Sequence, residues 1–169
     1  LSMIPSGIAA SFKPQTEVDI PGFAFSPGYK STGLTLSANN KTLEKTEYDG
    51  RTSTAACRHG KLVGKYYFEL FIEARPSGSE IGVGVGTWLH PLSLSIGIDN
   101  FSIGYLTDGR VVKSVSAVAF LDTYGVGDTV CVAVDCDSRT VRFRKNDGVW
   151  TDALNTPTLH PVMPMVHMS

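Results

Sequence analysis

Four histidines, three cysteines and a few serines and aspartates are the side chains in this sequence that could carry catalysis or hold a metal. His59, His90, His160 and His167 include no i, i+4 pair and no Cys-x-x-Cys company, the patterns that metal sites use. Each therefore reads as a loop or surface histidine. Cys131 and Cys136 are separated by four residues with no histidine near them in sequence, a poor zinc spacing. Asp135-x-Asp137 begins like a calcium loop but lacks its glycine and distal glutamate, so it reads as a turn-forming pair. Around Ser102 the position that a nucleophile elbow gives to glycine is held by Asn100. Gly82-x-Gly84-x-Gly86 lacks the third glycine at dinucleotide-site spacing, and no helix follows to receive a phosphate. This inventory yields no catalytic residue, no metal ligand and no cofactor. The chain is expected not to be an enzyme.

Residues suited to holding a partner are easier to find. Loops on a rigid sheet scaffold are the usual place for recognition. Three stretches read as such loops: 44–59 with Tyr48, Asp49 and Arg51, 87–95 with Trp88, Leu89, His90 and Leu92, and 99–101, which leads into Tyr105. A tryptophan closing a strand and opening a loop offers large apolar area plus one donor, the profile of an interface anchor. The competing reading makes Trp88 a plug for one end of the core. The candidate binding residues are Trp88, Leu89, His90, Tyr48, Arg51 and Tyr105. Trp150 reads as core.

The elements that would carry these loops are strands. The chain has 169 residues, 17 glycines and 9 prolines, with 42% hydrophobic and 18% charged residues. That suits one domain with a sufficient core, punctuated too often for long helices. Stretch 64–73 alternates strictly, with Tyr66, Phe68, Leu70 and Ile72 on one face. Stretch 81–86 puts Ile81, Val83 and Val85 on one face and glycines on the other, so the glycine face is expected to meet a neighbour closely. Asp108-Gly109 marks a hairpin. Stretch 129–135 is apolar at nearly every position and belongs mid-sheet. In 140–145, Val141 and Phe143 point inward. Pro164 demotes the last strand to a place near an edge. No stretch of ten residues keeps a helical period. The fold class is therefore all-β, an antiparallel sandwich or barrel with little or no helix. Residues 1–30, rich in Pro, Gly and Ser, read as a leader or linker packing on the domain edge, and 31–169 as the sandwich.

The remaining arithmetic excludes function classes. Fifteen basic against sixteen acidic residues leave a formal charge of −1, without the footprint of a nucleic-acid binder. No apolar run is long enough for a membrane helix, so no membrane insertion is expected. The first ten residues lack a signal peptide's basic and apolar blocks. Leu1 is no initiator, and a piece of a longer protein is expected. Three cysteines form no closed disulfide framework, and reduced thiols are the expectation, with a bridge from Cys57 left open.

In order, the motifs resemble the SPRY domain. Gly64-Lys65-Tyr66-Tyr67-Phe68-Glu69-Leu70 is similar to that family's G-K-x-Y-x-E strand, and Ile81 to Gly86 to its I-G-V-G segment. Ile96-Gly97 followed by Ser102-Ile103-Gly104-Tyr105 resembles its L-G-x-D...S-x-G-Y stretch. Gly127 to Asp135, Val141 to Asn146 and Pro161 to Val166 are similar to its three closing motifs. One departure is Asn146-Asp147-Gly148 in place of Asn-Gly. The resemblance spans about residues 25–168. It implies a bent two-sheet β-sandwich that binds a protein or peptide through loops at one end, without catalysis. Three settings are open. The chain is a phage-tail or other virion module, which would take a cell-surface receptor and could oligomerise through its parent protein. It is a substrate-recognition domain of a eukaryotic adaptor or ubiquitin ligase. Or it is a structural virion domain packing on neighbouring copies. The low-charge lead-in favours the virion and extracellular setting over a cytoplasmic one.

Overall fold

Period-two patterning becomes strand along nearly the whole chain. The computed structural model describes residues 8–12, 24–46, 49–57, 60–157 and 160–169. Within them run β1 (Ile8–Phe12), β2 (Phe25–Lys30), β3 (Thr35–Ser37), β4 (Thr42–Lys45), β5 (Ser53–Cys57), β6 (Lys65–Ala74) and β7 (Ile81–Gly86). Then follow β8 (Ser102–Leu106), β9 (Arg110–Lys113), β10 (Ser116–Phe120), β11 (Thr129–Asp135), β12 (Thr140–Lys145), β13 (Leu154–Asn155) and β14 (Met163–Met168). No helix occurs among the described residues.

The strands form two seven-stranded sheets. The first has the order β13-β12-β11-β6-β1-β4-β3, and the second β10-β9-β8-β7-β14-β5-β2. Each pairing is antiparallel. The inner faces meet in one core. Tyr66, Phe68, Leu70 and Ile72 of β6 and Val130, Val132 and Val134 of β11 face Ile81, Val83 and Val85 of β7 and Ile103 and Tyr105 of β8. Phe143 is fully buried among them. Burying a large apolar side chain contributes roughly 1.5–3 kcal/mol, which is why the pattern decides the fold.

Three expectations meet a different structure. β14 is not near an edge. It lies between β7 and β5. Pro164 sits opposite Val85, and pairing with β5 starts only at Met165, so the proline precedes that ladder. In the segment read as a leader, β1 lies between β4 and β6 inside the first sheet rather than along its edge. Ala9 and Ala10 are small and buried, so the short strand fits between its neighbours. Trp150 is half-buried outside the core, set edge-on to Tyr67 at 6.0 Å. Cys57, Cys131 and Cys136 are free and buried.

Candidate functional site

The outer face of the second sheet is flat because β7 alternates with glycine. A β-carbon at Gly82 would overlap the His167 ring, one at Gly86 the Met165 sulfur, and one at Gly84 the Ile103 carbonyl. The glycine face therefore does meet close neighbours. Residues 87–101 fold back over this sheet. Ile96 packs with Met163, Met165 and Ala56 in a small second cluster.

Polar contacts pin that covering segment along its length. The Thr87 amide donates to the Phe101 carbonyl at 2.9 Å, closing the segment on itself. His90 is buried, with Nδ1 2.9 Å from Asp99 Oδ2 and Nε2 3.2 Å from the Leu94 carbonyl. Ser102 Oγ donates to Asp99 Oδ1 at 3.0 Å and accepts from the Gly97 amide at 2.7 Å. The Ile96 amide donates to His167 Nδ1 at 3.1 Å, which leaves His167 Nε2 as the donor to Glu80 Oε1 at 3.0 Å.

Ser102, His90 and Asp99 thus come together, an arrangement that their spacing along the chain does not announce. Their arrangement is not that of a nucleophilic triad. Such a triad needs serine on one ring nitrogen and aspartate on the other. Here Ser102 Oγ, at 3.1 Å, and Asp99 share Nδ1, and the Leu94 carbonyl occupies Nε2. The cluster ties down a loop and has no free serine to activate.

What the tie-down presents is Trp88. The turn is set by the His90 amide donating to the Thr87 carbonyl at 3.1 Å and the Leu89 amide donating to Thr87 Oγ1 at 3.3 Å. Trp88 therefore projects outward and is 56% exposed. Its ring lies 5.8 Å from that of His160, edge to face. Its carbonyl accepts the Tyr29 hydroxyl at 2.5 Å. Ser26, Pro27, Gly28, Tyr29, Trp88 and Met163 line a hollow of about 540 Å³ beside it. At the other end of β2 a second hollow of about 670 Å³ runs between Ser31, Gly33, Asp49, Arg51 and Ser93. Ser31 Oγ donates to the Leu92 carbonyl at 2.5 Å, joining β2 to the covering loop between the two hollows.

Arg51 is held by a feature that residue spacing does not reveal. Lys45 is buried, forms an ion pair with Asp49 at 3.2 Å, and donates to the Arg51 carbonyl. The Arg51 amide, then Lys45, hold the Asp49 carboxyl below the usual carboxylate range. Arg51 itself is exposed.

The predicted binding residues therefore separate. Trp88 and Arg51 are exposed on neighbouring hollows, and Leu89 is half-buried beside Trp88. His90 is a correction: its imidazole is consumed inside the loop. Tyr105 is another. It is fully buried in the core against Tyr124, and its hydroxyl donates to the Asp122 carbonyl. Burial holds the Tyr105 hydroxyl well above its ordinary pKa. Tyr48 lies outside the described residues.

The model of the SPRY domain matches residues 65–169. The chain belongs to the SPRY domain family. F-box/SPRY domain-containing protein 1 of Drosophila willistoni is 26% identical over 159 residues, covering 85% of this chain and 62% of that protein. The chain thus spans less than two thirds of that relative. Dual specificity protein kinase splA of Dictyostelium discoideum is 29% identical over 140 residues, covering 79% of this chain and 6% of that protein. The crystal structure of the SPRY domain of human HERC1 superposes with a TM-score of 0.74 at 18% identity, covering 85% of this chain and 89% of that one. The fold is the SPRY sandwich. The related proteins are eukaryotic and give the virion setting no support. SPRY domains bind proteins, and this chain is a SPRY protein-interaction module.

Proposed function

We propose that this SPRY domain recognises its protein partner through the surface formed by Trp88, Leu89 and Arg51, as the target-holding part of an intracellular adaptor. It acts by binding and performs no catalysis. The observation that carries this reading is the exposed Trp88, held on a pinned loop at the rim of a hollow of about 540 Å³. A rigid aromatic beside a preformed hollow loses little side-chain entropy on binding and buries large area, as interface hot spots do. Arg51 adds a cation at the rim of the second hollow. The adaptor setting rests on the F-box/SPRY relatives.

A displayed random-peptide library selected on the purified domain tests the surface. The tightest peptide should bind Trp88→Ala at least about 30-fold more weakly, the equivalent of about 2 kcal/mol. Arg51→Glu should weaken it by a smaller factor. Selected peptides that bind both variants as well as the parent domain would refute the assignment.

A further inference from the structure

The outer face of the first sheet is built differently. β6, β11 and β12 lie side by side there, and Ala133 of β11 stands opposite both Tyr67 of β6 and Arg142 of β12. A small residue flanked by two long ones makes the floor of a trough. The trough has a volume of about 900 Å³, the largest of the hollows described here, and runs between Lys65, Tyr67, Ala133, Asp135 and Arg142. Next along the same face, Cys131 stands between Glu69 and Arg144. Trp150 closes that end, edge-on to Tyr67 and 4.7 Å beneath the Arg144 guanidinium.

Around the trough, Lys65, Arg142 and Arg144 stand against the carboxylates of Asp135 and Glu69. Lys65 is taken by Asp135 at 2.9 Å. Arg142 donates, among the described residues, only to the Thr151 carbonyl, at 3.3 Å. Among the described residues no carboxylate lies within ion-pair distance of Arg142 or Arg144. Arg144 Nε is buried with no hydrogen-bond partner, while Tyr67 and Cys131 stand against the rest of its guanidinium. Two guanidiniums on one strand, two residues apart, face the same way beside aromatic rings. Carboxylates spaced by two along an extended peptide match that repeat, because alternate side chains of a strand share a face.

We propose that this trough is a second binding site, separate from the Trp88 surface, for an extended acidic peptide segment. Its carboxylates pair with Arg142 and Arg144. Its backbone lies over Ala133. An apolar side chain of the segment rests against Tyr67 and Trp150.

A capped decapeptide of alternating aspartate and threonine with one central phenylalanine, titrated into the isotope-labelled full chain, tests this. Amide shifts should be confined to β6, β11, β12 and the Trp150 segment. Arg142→Glu should weaken binding about tenfold or more, the loss expected for one charge-assisted contact. Ala133→Leu, which keeps the charge and fills the floor, should block it equally. Trp88→Ala should leave it unchanged, so this site and the one proposed above fail independently. The proposal is overturned by an absence of shifts at millimolar peptide. Shifts that map to Trp88 and Arg51, or equal binding of the lysine-for-aspartate peptide, would also overturn it. Displacement by oligodeoxythymidine would reassign the cations to nucleic acid and equally reject it.

Discussion

The two outer faces of this sandwich start from the same inner pattern and end differently. On the second sheet the outward positions of β7 are glycines, His167 and Met165 of β14 lean over them, and Ile96 of the segment 87–101 packs beside them on Gly104 and Met165. On the first sheet the outward positions of β6 and β12 are Tyr67, Glu69, Arg142 and Arg144, and their own side chains make the surface. Inner-face apolar residues decide that there is a sandwich. Outer-face side-chain volume decides whether a sheet is covered or bare. The covered face then gains a rigid platform for Trp88, while the bare face keeps a charged trough.

Substitutions that exchange these characters should separate the two faces. The largest effect belongs to Gly84→Ala. The added methyl would press on backbone at Ile103 and Gly104, which cannot move aside as a side-chain tip could. Its cost should fall at or above the upper end of the about 1–3 kcal/mol typical of overpacking. Ala133→Ser on the bare face should stay within about 0.5 kcal/mol. Denaturant titration of both variants measures the contrast, and equal costs would break it.

His90→Ala should come next, at about 2 kcal/mol, because it removes the buried ring that bridges Asp99 Oδ2 to the Leu94 carbonyl. Hydrogen exchange should quicken across 87–101 while amides of β6 and β11 keep their protection. Uniform quickening would mean that the covering loop is not a separate layer.

The smallest effect concerns Asp135 at the edge of the trough. Lys65, then the Ser138 amide, lower its carboxyl pKa to about 2. A carboxyl depressed in the folded state stabilises above its unfolded pKa and loses that contribution as pH falls through the folded value. Asp135→Asn should therefore lower the melting temperature slightly at about pH 6, by less near pH 2, and not at all about one unit lower. A difference that persists in acid would exclude the Lys65 pair as its source.

How much of this was legible in the sequence follows from the same physics. Alternation in 64–73 and 140–145 identified the inward residues of β6 and β12, because a period of two fixes which face a side chain takes. It could not fix strand order. Pro164 suggested an edge, yet β14 is internal, since a ladder can begin just after a proline. The short apolar run of β1 was obscured by prolines nearby. At the candidate site, Trp88 and His90 are two residues apart, and sequence alone gave them one role. Long-range partners separate them: Asp99 and Ser102 draw the His90 ring inward, whereas Trp88 meets the His160 ring and the Tyr29 hydroxyl at the surface. Tyr105 fell on the inner face of β8, a position that pairing with Val83 settles and loop proximity does not. Buried Lys45 stood out little, because one of its partners is the Arg51 backbone carbonyl and the other, Asp49, lies in the loop beyond its strand.

The central claim is that recognition occurs on the covered face, at Trp88. The most direct measurement is amide and indole shift mapping of the isotope-labelled domain against its selected peptide. The account predicts shifts at Trp88, Leu89, Tyr29, Met163 and His160, with the core tyrosines Tyr105 and Tyr124 silent. Shifts that leave the Trp88 indole unmoved while the peptide binds would contradict it.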